Sequence, residues 1–201
     1  MFPNNHDPFG DDEFTSESYI GPVMSSYRFQ EATGSELKAL HRLDVKCYDY
    51  PLSAGEWQEI LSTAPQVSPN DGSVAHYKCQ TYRINNTIIG FYVYDNRAGE
   101  TEYMRLLRFG IHPEYRQQGI GSLLMDNAIA KAKSLGLHEA EVMIPEYWLD
   151  PDEDRGIIKF VETSGMAPVE HVRDFYFHYG SKYDGILYRT GGRRKVDFAS
   201  Y

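Results

Sequence analysis

Two cysteines, Cys47 and Cys79, are all that 201 residues provide. That is too few for a disulfide framework or a cysteine-built zinc site, and it points to a reducing, cytoplasmic setting. Seven histidines are scattered without ligand spacing, so no metal is expected. No apolar run approaches the roughly 18 residues a membrane helix needs, and the longest, Ile88 to Tyr94, has the length of a strand. The start, Met-Phe-Pro-Asn-Asn-His-Asp, lacks the basic end and apolar stretch of a secretory signal. Positive charge is also short. A formal charge of −9 argues against nucleic acid as a main partner.

What is present describes a globular chain with one core-sized domain: 41% hydrophobic and 24% charged residues. The negative charge is uneven. Asp7, Asp11, Asp12, Glu13 and Glu17 lie in a stretch up to residue 27 that has no Lys or Arg. The rest of the chain is therefore only mildly acidic and can host a basic groove. Residues 1–23 read as an acidic arm without structure of its own, through which Phe2, Phe9, Phe14 and Tyr19 could dock on a protein partner. Residues 24–190 read as the folded domain and 191–201 as a basic tail.

The chain is organised around Met104–Ile144: a buried strand, a tight loop, an amphipathic helix and a second strand. The loop Arg116-Gln117-Gln118-Gly119-Ile120-Gly121 opens directly into the helix, with Ser122 following. The first amides of a helix have no intrahelical acceptor and carry partial positive charge, and two glycines would let a phosphate approach the backbone. A dinucleotide loop would want a third glycine where Leu124 stands, and no Gly-Lys-Ser/Thr ending is present. The expectation is a pyrophosphate cradle.

Around it, Tyr27–Glu31 alternates like an edge strand, and Thr33-Gly34-Ser35-Glu36 starts a helix carrying Leu37, Leu40, Leu43 and Cys47 on one stripe. Pro51 ends that helix and Ser53 caps a second one through Trp57, Ile60 and Leu61. After a loop over residues 65–73, Val74–Ile84 and Ile88–Tyr94 form a hairpin across Asn85-Asn86. Met104–Ile111 suits a central strand. The helix from Gly119 sets Ile120, Leu123, Leu124, Ala128 and Leu135 toward the core and stops at Gly136. Glu139–Ile144 is a strand; Ile157, Ile158 and Val161 line a short helix closed by Gly165; Val169–Tyr179 and Tyr183–Tyr188 pair last. The expected order is β-α-α-β-β-β-α-β-α-β-β, an α/β (α+β) mixed central sheet with helices on both faces.

Arg-x-x-Gly-x-Gly after a strand ending Phe-Gly-Ile-His-Pro-Glu-Tyr resembles the acetyl-coenzyme A motif of the GNAT N-acetyltransferase superfamily, and the element order over about residues 25–189 resembles the GNAT fold. The segment Cys47-Tyr-Asp-Tyr-Pro-Leu-Ser53 and its helix pair resemble ribosomal-protein alanine N-acetyltransferases. The resemblance implies acetyl-CoA as acyl donor and direct attack by a primary amine of a peptide terminus or small molecule; no membrane partner is expected from the sequence, and a monomer or homodimer is expected. It implies that Phe109, Gly110 and Ile111 pair with the pantetheine arm, that Arg116 to Ser122 hold the pyrophosphate, and that the Ile111 amide stabilises charge on the thioester oxygen.

The proton-transfer groups depart from that pattern. Where those relatives place a glutamate base and a tyrosine acid, this chain has Met143 and Val161. The longer loop that follows offers Glu146, Tyr147 and Asp150. Glu146 is the first candidate base because it lies nearest the strand end, and Glu141 the second. Tyr176, in Arg173-Asp174-Phe175-Tyr176, aligns with acceptor-groove tyrosines of the relatives and is the candidate acid; Asp184 matches an acid of the family pattern. The alternative expectation is a GNAT-fold binding or structural module that has lost transfer.

Overall fold

The computed structural model describes residues 26–62, 66–67, 74–95, 101–149, 156–178 and 180–191. The expected arm (1–23), Asp150 and all but the first residue of the expected tail lie outside them. Two capping boxes start the helical pair: Thr33 with Glu36, and Ser53 with Glu56, whose carboxylate accepts from the Ser53 amide at 2.7 Å. They start α1 (Leu37–Cys47) and α2 (Ala54–Ile60), which follow the edge strand β1 (Tyr27–Glu31) in the chain. Next come the two-residue strands β2 (Gln66–Val67) and β3 (Val74–Ala75), which pair only with each other. The expected strand Val74–Ile84 is thus interrupted at His76, and β4 spans Tyr77–Ile84.

Asn85 and Asn86 adopt φ of 47° and 70°, the left-handed pair a tight hairpin needs, and β5 (Thr87–Asp95) returns antiparallel. The remaining elements are β6 (Tyr103–Ile111), α3 (Ile120–Ser134), β7 (Glu139–Pro145), α4 (Ile157–Thr163), β8 (Met166–His178) and β9 (Ser181–Thr190). The main sheet has seven strands in the order β1-β4-β5-β6-β7-β9-β8, and only β6 and β7 run parallel, joined by α3. Among the described residues, no helix is long and apolar enough to cross a membrane.

The period-2 alternation of β5 divides the core. Phe91 and Val93 pack with Leu40, Leu43 and Trp57 of α1 and α2. Tyr92 and Tyr94 pack with Leu124, Met125, Ala128 and Val161 of α3 and α4. Ile120, Leu124 and Ala128 are buried as expected, but Leu123 is 47% exposed. It follows Ser122 on the outer side of the helix, so its apolar character alone misassigned it.

Charged groups tie the layers together. Asp44, fully buried on α1, accepts from Arg108 Nε of β6 (2.6 Å), the Leu52 amide (2.7 Å) and Trp57 Nε1 (3.3 Å). Buried Glu141 of β7 holds Arg105 of β6 at 2.7 Å and Arg189 of β9 at 2.9 Å. Each acid is compensated by at least one guanidinium, the condition under which a charge survives burial.

Candidate active site

The β6–β7 ladder is short. It runs from Tyr103–Glu139 to Leu106–Val142 and stops, although β6 continues to Ile111 and β7 to Pro145. The cause is visible in the opposite edge of β6. Val93 pairs with Arg108 but Tyr94 with Leu106, so Leu107 is an extra residue. Such a bulge bends and twists its strand. Beyond it β6 stays with β5, β7 stays with β9, and the sheet opens between them.

The polar edge of β6 faces that opening. His112 donates to Ile89 O of β5 at 2.8 Å, so by alternation the polar groups of Phe109 and Ile111 turn the other way. Neighbouring side chains bond to Phe109 N, Phe109 O and Ile111 O. The Tyr48 hydroxyl donates to Phe109 O (2.6 Å) and accepts from Phe109 N (3.1 Å), as a neighbouring strand would. Cys47 Sγ (3.2 Å) and Arg116 Nε (3.1 Å) both donate to Ile111 O. Tyr48 is held from behind by the Arg108 guanidinium, 3.8 Å from its ring centre. Burial pushes the Tyr48 phenol up to about 12 and raises the Cys47 thiol, in each case against the lowering effect of hydrogen bonds and nearby arginines.

One end of the opening meets the expected cradle. Gln117 and Gly119 adopt φ of 60° and 78°, turning the loop sharply into α3. Gln118 braces it by donating to Glu114 O at 3.0 Å. Leu123 is the first amide to find an intrahelical acceptor (Gly119 O, 3.2 Å), and no side chain caps the helix, so the amides of Ile120, Gly121 and Ser122 have no partner within it. The two glycines serve different ends. A Cβ on Gly119 would meet nothing within 4 Å, whereas one on Gly121 would lie 3.0 Å from Phe160 and 3.3 Å from Ile111. A side chain at Gly121 would therefore press on α4 and β6, so packing is a second demand on this glycine beside the expected clearance for a phosphate. Gly110 is alike: a Cβ there would lie 2.5 Å from the Phe91 ring.

The candidate catalytic residues fall into two clusters along the β7 side. Tyr176 of β8 donates to Met143 O at 2.9 Å. A Cβ on Gly185 would meet Met143 Sδ at 2.9 Å and the Tyr176 ring at 3.3 Å, so these groups close over the space that glycine leaves. The Tyr176 phenol thus stands beside the position where the resemblance leads one to expect a glutamate. Glu146, directly after β7, belongs to the second cluster: His171 Nε2 lies 3.7 Å from its carboxylate and 3.2 Å from that of Asp184. His171 stands opposite Ile186, one residue beyond Gly185, and so on the other face of the sheet. Glu141, the second candidate base, is fully buried between Arg105 and Arg189 and is committed to joining three strands.

Sequence reasoning missed Tyr48, Arg108, Asp44 and His171. Asp44 lay between Leu43 and Val45 on the apolar stripe of α1 and Arg108 interrupted an apolar strand, and each anomaly is explained by the other. No local pattern marks Tyr48 or His171, whose roles come from strands and turns remote in sequence.

The model of the Acetyltransferase (GNAT) family matches residues 37–160. Curated protein sequences gave no match. Among solved structures, the ribosomal-protein-S18-alanine N-acetyltransferase of Escherichia coli is similar over 86% of this chain and 100% of its own, with 13% identity and a TM-score of 0.62. NAA60 of Arabidopsis thaliana in complex with acetyl-CoA is similar over 82% and 97%, with 13% identity and a TM-score of 0.61. A chimeric spermidine N-acetyltransferase from Vibrio cholerae matches over 82% and 94%, with 16% identity and a TM-score of 0.63. At these identities the similarity speaks to the fold.

Proposed function

Because the chain belongs to the GNAT acetyltransferase family, we propose that it transfers an acetyl group from acetyl-CoA to a primary amine, on a peptide amino terminus or a small molecule, by direct attack. The observation that carries this reading is the opening between β6 and β7, which leads from the polar strand edge at Phe109–Ile111 to the uncapped start of α3.

The residues fit the donor. The amides of Ile120, Gly121 and Ser122, with the loop from Arg116 to Gly119, receive the pyrophosphate; each charge-assisted hydrogen bond contributes about 1.5–3 kcal/mol. The edge of Phe109, Gly110 and Ile111 receives the pantetheine arm in strand fashion, with Tyr48 moving aside. Bound there, acetyl-CoA supplies an activated acyl group. The Ile111 amide is the donor toward the thioester oxygen as charge develops on it, and a fixed backbone dipole in a dry site serves this without reorganisation. Glu146, 47% exposed at the end of β7, accepts the acceptor's proton, and Tyr176 donates toward the departing sulfur.

An amine of pKa about 8 is roughly one tenth neutral at pH 7, and a lysine of pKa about 10.4 less than one thousandth. A site whose proton acceptor has moved from the strand to the following turn suits an α-amine more readily than a lysine. Titration calorimetry with acetyl-CoA tests the first step, and no saturable binding at millimolar cofactor would sink the proposal.

A second reading is favoured by Tyr48. Its hydroxyl satisfies both polar groups of Phe109, and with Met143 and Val161 at the expected base and acid positions the fold could serve as a binding or structural module. That reading requires the absence of thiol release over a broad panel of amines and amino-terminal peptides; turnover with any of them eliminates it.

A further inference from the structure

We infer that His171 and Asp184 form a proton relay behind Glu146, taking up the proton that an ammonium acceptor must lose before it can attack. The inference rests on the acetyl-transfer reading above and adds two positioning residues to it.

Three elements remote in sequence build the cluster. Glu146 follows Pro145, the last residue of β7; His171 lies on β8; Asp184 lies on β9, between them in the sheet. The His171 imidazole, with its side chain 16% exposed, faces Asp184 at 3.2 Å and Glu146 at 3.7 Å, and one ring nitrogen and one oxygen from each carboxylate lie within 4.8 Å of one another. Asp184 is held from its other side, where Oδ1 accepts from the Asp174 amide at 2.9 Å. Asp174 adopts φ of 55° at a bulge in β8, and its own carboxylate is neutralised by Lys182 at 3.2 Å. Among the described residues, the charged groups set around the imidazole include Glu146 from the turn after β7, Asp184 from β9, and the Asp174–Lys182 pair behind Asp184.

The imidazole thus stands between two carboxylates, a side-chain type from which it can receive a proton and to which it can return one. The Glu146 carboxylate is the cluster's most exposed member, at 47% against 28% for Asp184, and Glu146 directly follows, in the chain, the stretch of β7 that parts from β6. Asp184 and His171 stand behind it.

The proton account balances. The acceptor R–NH3+ gives one proton to Glu146, which passes it to His171 when the 3.7 Å between them closes to hydrogen-bond distance, and the resulting imidazolium is flanked by Asp184. The neutral nitrogen forms the C–N bond as the C–S bond breaks. The nitrogen's second proton ends on the departing sulfur, giving the amide and the free thiol. The relay then returns its proton to water, so the net products are amide, thiol and one H+.

His171→Gln tests this in the full-length protein, with two acceptors: an alanine-starting peptide for the α-amine and N-α-acetyl-lysine for the ε-amine. The variant is expected to bind acetyl-CoA within about twofold of wild type, with the deficit in kcat rather than in KM for acetyl-CoA. At pH 7 its kcat should fall on the order of a hundredfold with the lysine acceptor, the scale of general base catalysis, and by less with the peptide. The deficit should shrink as rising pH supplies neutral amine from solution. Glu146→Gln should give the same pattern, and the double variant should be no worse than either single one, because the groups act as a unit. Glu146→Gln alters an exposed side chain and keeps the test available if His171→Gln does not fold. A deficit of equal size at every pH and with both amines would mean a structural role and overturn the relay alone. A wild type that binds acetyl-CoA but acetylates neither amine would overturn the acetyl-transfer reading, and the relay with it.

Discussion

Tyr48→Phe separates the donor's path from the protein's own packing. The substitution keeps the ring against Arg108 and removes one oxygen, which makes two hydrogen bonds to Phe109, at 2.6 and 3.1 Å. A protein hydrogen bond contributes about 0.5–1.5 kcal/mol net, so the pair amounts to about 1–3 kcal/mol. In the free protein the variant should lose roughly that much stability, because Phe109 N–H and C=O lose their partner. If a pantetheine amide pairs with the same two groups, wild type must first release the hydroxyl and the variant need not. Acetyl-CoA should then bind the variant more tightly by the same amount, roughly five- to a hundredfold. Calorimetric titration alongside thermal denaturation of the free and liganded protein reads both quantities. A fall in Tm with unchanged affinity would show that the hydroxyl is outside the donor's path. Weaker binding would mean that Tyr48 itself holds the donor.

The cradle glycines should fail differently. Gly119→Ala forces a side chain into φ of 78° and should cost about 1–2 kcal/mol without a clash. Gly121→Leu should cost more, about 1–3 kcal/mol or above, by overpacking Phe160 and Ile111; equal losses on denaturant unfolding would contradict the distinction. Asp44→Ala leaves Arg108 short of its carboxylate and two further donors, the Leu52 amide and Trp57 Nε1, without their acceptor. Urea titration should show a loss of about 3–5 kcal/mol, and a loss under 1 kcal/mol would mean the hub is dispensable. Tyr48 is raised from 10.0 to about 12, and Tyr92 and Tyr94 are raised further, all chiefly by burial. A phenol that holds its proton more tightly when folded contributes stability that is full below pH 10 and lost as pH rises through the folded value. Circular dichroism at increasing alkalinity should therefore show stability falling from about pH 10 upward, and a flat profile to pH 12 would refute the burial of these phenols.

Much of the fold was legible because its signals are local. The serine and threonine caps, the asparagine pair at φ above zero, the glycine stops and the alternation of β5 each involve neighbours within a few residues, and most elements appear where such neighbours predict them, although β2 (Gln66–Val67) falls in the stretch read as a loop. Two misreadings share a cause. Leu123 was assigned inward on hydrophobicity although helical rotation carries it outward. Val74–Ile84 was read as one strand because alternation does not report where a partner strand ends.

The candidate site was half legible. Arg116 to Ser122 could be found from sequence because a helix start and a left-handed turn supply backbone amides by themselves. The opening beside those amides depends on a bulge at Leu107, which is defined only by the count of residues on β5 opposite it. The same holds for Tyr48, which takes the place of a strand, and for His171, which meets Glu146 and Asp184 only because β9 lies between β7 and β8.

By itself, then, the sequence determined the order of elements, the anion-ready start of α3 and the absence of a base at residue 143. Which strands part, which side chain stands in the gap and which acid an imidazole faces were decided by tertiary structure. Propensities and caps act over three or four residues, whereas pairing register and proximity are properties of segments that meet only after the chain has folded.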